Sequence, residues 1–144
     1  EKVWVGDGAR GAAQIEASRA YWGVRRFDLM QVHNLLAWQQ HLPQLFEMKA
    51  AGRLRYVGIS TSEGRRHAEI EQVMRTQPID FVQISYNPLD REVETGTCVQ
   101  GEDATWQRCD AGGVWTPRSS SSGCAEAFAT ARAFLAESAA GKSA

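Results

Sequence analysis

The sequence predicts an α/β fold with a parallel sheet over its first 94 residues. Three observations predict it. Apolar runs at 27–33, 54–60 and 79–85 have strand length and read as strands buried on both faces. Amphipathic stretches of helix length separate them. Strands alternating with such helices form βαβ units, whose crossovers are right-handed.

Each element follows in order. "KVWV" (2–5) reads as the end of a strand. Gly6, Gly8 and Gly11 punctuate a turn. "GDGARG" (6–11) lacks the further G-x-x-G spacing and the ribose-binding acid of a dinucleotide loop, so it reads as a turn only. Residues 12–21 form a helix stopped by Gly23. "FDLMQVH" (27–33) is the first full strand. Residues 41–51 form a helix with Leu42, Leu45 and Phe46 on one side and Gly52 as its stop. "LRYVGIS" (54–60) is the second full strand. Residues 63–75 form a helix with Ile70, Val73 and Met74 at helical spacing. "IDFVQIS" (79–85) is the third strand, and Asn87-Pro88 begins a turn or a new helix.

The chain changes character near Glu94. Residues 1–94 form the α/β part. Residues 95–124 are rich in Cys, Trp and Ser, with few aliphatic residues, and read as an irregular segment. Within it, 119–122 reads as flexible linker. Residues 125–144 give a helix over 125–138, with Phe128, Ala131 and Leu135 on one face, and a tail that frays. The three cysteines, Cys98, Cys109 and Cys124, match no zinc signature, so no metal is expected. They allow one bridge or none.

Composition excludes some functions. The 144 residues are 43% hydrophobic and 23% charged, with a formal net charge of -1. That balance gives no electrostatic case for nucleic acid or an anionic membrane. No apolar run approaches the roughly 20 residues of a membrane span. With no signal segment at the start, the expected compartment is the cytoplasm. The chain opens on Glu1 without an initiator methionine, which reads as a fragment or a processed product.

The strand ends carry the chemistry. The first full strand delivers His33 and Asn34, the second Ser60 and Thr61, the third Gln83 and Ser85. Ligands of parallel α/β sheets and barrels bind at the carboxyl ends of the strands. Loop-adjacent positions are also often polar, so placement alone leaves both readings open. Asp28 and Asp80, at strand starts, fall at the opposite end and are expected to cap or pair. His41, His67 and the pairs Arg25-Arg26 and Arg65-Arg66 are expected to be solvated. Trp22 and Trp38 are expected to cover core edges, and Trp38 also to flank a pocket.

"DLMQVHN", "KAAGRLRYVGIST" and "FVQISYNPLDRE", in that order, resemble the aldo-keto reductase family over about residues 2–93. The resemblance implies a partial (β/α)8 TIM barrel, about strands 3–6 with their helices. It implies an NADPH-dependent oxidoreductase that reduces an aldehyde or ketone, with a small carbonyl compound as substrate. His33 would polarise the substrate carbonyl. Lys2, similar to the lysine closing the family's third strand, would lower the pKa of an acidic tyrosine. Ser60, Thr61 and Gln83 would hold the nicotinamide carboxamide, and Asn34 and Trp38 would contact substrate.

Departures from the family pattern accompany the matches. The family's catalytic Tyr and Asp lie before the third strand, upstream of Glu1. An Asn often follows the family's serine where Thr61 stands here. No aliphatic seventh strand follows Glu94, and the phosphate-gripping loops after strands seven and eight are not recognisable. The segment 95–124 reads as a disulfide-stapled binding motif or as unrelated sequence joined at Glu94-Thr95; the position of that junction favours the second. The expected partial barrel leaves sheet edges open, which predicts self-association. The alternative function is therefore that of an inactive reductase relative serving as an interaction module.

Overall fold

Consecutive strands lie side by side in a computed structural model that describes residues 1–62 and 66–85, together with the strand backbone of 106–108 and 114–117. The parallel strands are β1 (Lys2–Val3), β2 (Phe27–Val32), β3 (Leu54–Ser60) and β4 (Phe81–Gln83). Between them run α1 (Gly8–Trp22), α2 (Trp38–Ala50) and α3 (His67–Thr76). Neighbours among these four strands are neighbours in sequence, so right-handed crossovers place all three helices on one side. Val32, Val57, Ile59 and Val82 form the fully buried centre, and Leu42, Leu45 and Val73 bring in the helices.

Several boundaries differ from the sequence expectation. The expected turn at 6–11 is already helix from Gly8. Asp7 caps it by accepting from the amides of Ala9 at 2.8 Å and Arg10 at 3.3 Å. Gly11 serves close packing, not a turn: a Cβ there would lie 2.6 Å from the His41 ring. His41 is not solvated as expected. It is 1% exposed, and its Nε2 donates to the Val5 carbonyl at 2.7 Å. Its helix turns it toward α1 while Leu42 and Leu45 join the core cluster.

Helix α2 starts a turn earlier than expected, with Pro43 inside it. Contacts remote in sequence hold that extra turn. Gln40 accepts from the Gly8 amide at 2.9 Å, and Trp38 donates to Glu69 at 2.8 Å. Gly23 and Gly52 follow α1 and α2 with left-handed φ of 65° and 72°, as the stops required. Trp22 is not a core cover: it is 62% exposed, with its indole N–H on Glu1 at 3.1 Å. Strand β2 ends one residue before His33. Strand β3 matches its expected bounds, and Ile70, Val73 and Met74 are the buried face of α3. His67, at the start of α3, is half-buried, not solvated.

Strand β4 is shorter than the expected 79–85, and Asp80 just before it serves as a cap. Its carboxylate accepts from the Val57 amide at 2.8 Å and from Lys49 at 2.6 and 2.7 Å. A second correction concerns 95–124. Two short strands lie there, β5 (Trp106–Arg108) and β6 (Val114–Pro117). Strand β6 pairs antiparallel with β4, Val82 facing Trp115 and Gln83 facing Val114. The far edge of β4 is therefore paired. Few aliphatic residues mark these strands, and the pairing of β6 with β4 is remote in sequence. The turn at Asn87-Pro88, the cysteines, the linker at 119–122 and the helix at 125–138 lie outside the described residues. Among the described residues no helix is long and apolar enough to cross a membrane.

The sheet packs closely at Gly58. A Cβ there would stand 2.6 Å from the Phe81 carbonyl oxygen, which is backbone and cannot swing away. Gly58→Ala should cost about 2–3 kcal/mol of stability. Gly6→Ala, with nothing within 4 Å of its Cβ, should change stability by less than about 0.5 kcal/mol. Urea midpoints of the two variants measure the difference; equal midpoints would contradict the packing.

Candidate active-site cleft

The sheet register sets the site. Val32 pairs with Ile59 and Ser60 pairs with Gln83. His33 directly follows Val32, so His33, Ser60 and Gln83 stand at one level. Lys2 pairs with Gln31 on the neighbouring strand. These four, with Asn34 and Thr61, line one open cleft of about 220 Å3 at the carboxyl ends of the strands. Trp38, expected to flank a pocket, does not line it. Its ring packs partly buried against the core, and its N–H is held by Glu69.

Two polar atoms in this cleft wall are buried and make no hydrogen bond among the described residues: His33 Nδ1 and Ser60 Oγ. An unsatisfied buried polar atom costs about 1–3 kcal/mol. Two at one cleft mark a place built for a polar guest. Burial also acts on Lys2, pushing its ammonium below the ordinary lysine value of 10.5. Thr61 is buried, and its amide donates to the Gln83 carbonyl at 2.9 Å, tying the ends of β3 and β4 together.

The turn after His33 is strained and clamped. Asn34, Leu35 and Ala37 have φ of 50°, 54° and 46°, a conformation non-glycine residues rarely adopt. Each such residue costs about 1–3 kcal/mol and persists only where its surroundings over-determine it. Here Asn34 Oδ1 accepts from the Ser62 amide at 3.0 Å and from the Ser62 hydroxyl at 3.3 Å. The Arg66 guanidinium donates to the Asn34 carbonyl, and its Nε donates to Glu69 at 2.9 Å. Glu69 in turn holds Trp38. Arg66 is thus a clamp, not the solvated residue expected, while Arg25 and Arg26 are exposed.

Trp4 is a contact the sequence reading missed. Its ring centroid lies 5.6 Å from that of His33, tilted by 31°, while 66% of the residue stays exposed. The period of two in an extended chain places Lys2 and Trp4 on one side, which was the available clue. The link from Arg66 to Asn34 spans 32 residues and leaves no sequence trace.

The aldo/keto reductase family profile matches residues 7–100 of the 144-residue chain. The chain belongs to the aldo/keto reductase family. No curated protein matches it. A parallel four-stranded sheet with helices is consistent with part of the family's (β/α)8 barrel. Barrel enzymes work at the carboxyl ends of their strands, which is where this reductase-family cleft lies. His33, Ser60 and Gln83 fall within the matched residues; Lys2 and Trp4 fall before them. Among the described residues no tyrosine lines the cleft: Tyr21 is 87% exposed on α1, and Tyr56 lies midway along β3.

The Lys2 environment is directly measurable. Burial disfavours its cation, so the folded chain releases that proton at lower pH than the unfolded chain. Its burial penalty is fully present below the folded value and disappears as pH rises to 10.5. NMR titration of the Lys2 ε-carbon should give a midpoint below 10.5; a midpoint at or above it would contradict the burial.

Proposed function

We propose that this member of an oxidoreductase family carries part of an NADPH-dependent carbonyl-reducing site, with an aldehyde or ketone as substrate. The observation that supports it is the pair of unsatisfied atoms, His33 Nδ1 and Ser60 Oγ, in one cleft with Gln83 and Lys2. A nicotinamide carboxamide carries one acceptor and two donors. Ser60 and Gln83, level with each other on adjacent strands, are suited to hold it. Thr61 backs that contact. When bound, reduced nicotinamide supplies a hydride to a carbonyl carbon. His33 polarises the substrate oxygen, and Lys2 adds positive charge where negative charge develops. Asn34 keeps the turn beside His33 in place, and Trp38 supports that turn from behind.

In the same reading, residues 1–94 supply about strands 3–6 of a barrel, and 95–124 are a Cys/Trp/Ser-rich segment whose strand β6 is added to the edge of β4. The compartment is the cytoplasm. A second reading, an inactive reductase relative that serves as an interaction module, is favoured by one observation. Strand β6 runs antiparallel on β4, on the side where a barrel would continue in parallel.

Titration with NADPH, followed by tryptophan fluorescence, separates the two. The enzyme reading expects saturable quenching, with Trp4 against His33 as a reporter near the site. Ser60→Ala and Gln83→Ala should each weaken binding about tenfold, equal to about 1.4 kcal/mol. No quenching at millimolar NADPH would leave the interaction module as the reading of this chain.

A further inference from the structure

A second cavity opens at the other end of the sheet. It has a volume of about 250 Å3 and lies where β2 and β3 begin, between α1 and α2. Ile15 and Leu54 are its buried floor. Arg19, Arg25 and Arg53 surround it, against a single carboxylate, Glu16. Both oxygens of Glu16 are engaged: Arg19 Nε donates to one at 2.9 Å and the Arg53 guanidinium to the other. Those contacts, the Arg19 hydrogen bond first, hold the Glu16 carboxyl below its usual range. Arg25 makes no hydrogen bond or ion pair among the described residues.

Charge and size narrow the guest. Three guanidinium groups against one carboxylate leave two positive charges unneutralised at one cavity. The C-termini of α1 and α2 offset some of that, at about half an elementary charge each before screening. The open wall is polar, which argues against an aliphatic guest. The volume is below the roughly 300–1,000 Å3 of drug-sized sites, so the guest is small. Guanidinium forks match phosphate oxygens in pairs. We propose that this cavity binds a small phosphate-class dianion, free phosphate or the head of a phosphate monoester, through Arg19, Arg25 and Arg53. The proposal does not rest on the reductase reading, because the length of β2 separates this cavity from His33 by about 20 Å.

The full chain, labelled with 15N, is titrated at pH 8 and constant ionic strength with inorganic phosphate and, separately, with phenyl phosphate. Saturable shifts should appear at the amides of Arg25, Phe27, Arg53 and Leu54, and none at His33 or Ser60. Tighter binding of phenyl phosphate assigns the site to monoesters; equal or weaker binding assigns it to free phosphate. Arg25→Gln, at an exposed position, should weaken binding about tenfold. Glu16→Gln should tighten it about threefold, by removing the one negative charge that lines the cavity. No saturable shift at tens of millimolar phosphate, shifts confined to the His33 cleft, an unchanged Arg25→Gln or a weakened Glu16→Gln would each overturn the proposal.

Discussion

The packing of β3 between β2 and β4 turns on the side chain that Gly58 does not have. At that level the Phe81 carbonyl approaches more closely than a Cβ allows, and the Gln31 side chain packs close beside it. Gln31 uses the space, reaching across to the Ile59 carbonyl at 3.4 Å. One residue earlier on each strand, Asp80 binds the β3 amide of Val57 and the ammonium of Lys49. With both points fixed, the register that sets Ser60 beside Gln83 and Ile59 beside Val32 has no freedom to slip. A slip of one residue would send every β3 side chain to the opposite face.

From that register the cleft follows. The backbone delivers imidazole, hydroxyl and carboxamide groups to one height, and the αL turn at Asn34 adds its own residue to the cleft wall. The strain in that turn is met by a chain of partners from Ser62 through Arg66 and Glu69 to Trp38. Mutual support of this kind is what lets a sparsely populated backbone conformation persist. Polar atoms left unsatisfied beside a clamped turn suggest that the polypeptide tolerates a stability cost there. Such costs concentrate where ligands bind.

The parallel core was legible in the sequence because local patterns dictate it. "LRYVGIS" is a continuous buried run, and β3 has the expected bounds. Ile70, Val73 and Met74 revealed the buried face of α3 by spacing alone. His33, Ser60, Thr61 and Gln83 were legible as a group because strand ends in a parallel sheet converge. What escaped notice depends on contacts remote in sequence. His41 looks like a surface residue until α1 packs across it through Gly11. Arg66 looks solvated until it meets the Asn34 carbonyl. Strands β5 and β6 have almost no aliphatic pattern, so only their pairing reveals them.

The antiparallel addition on β4 has a consequence for the order of assembly. Each parallel pairing joins consecutive strands across a single helix. Strand β6 returns to β4 across about as long a stretch of chain as separates β1 from β2, but it leaves the ribosome last. During synthesis the N-terminal part of a chain folds first. The four parallel strands can therefore be in place while the β4 edge still waits for its partner, and the nascent chain passes through a stage in which an open row of amides and carbonyls faces whatever else is nearby.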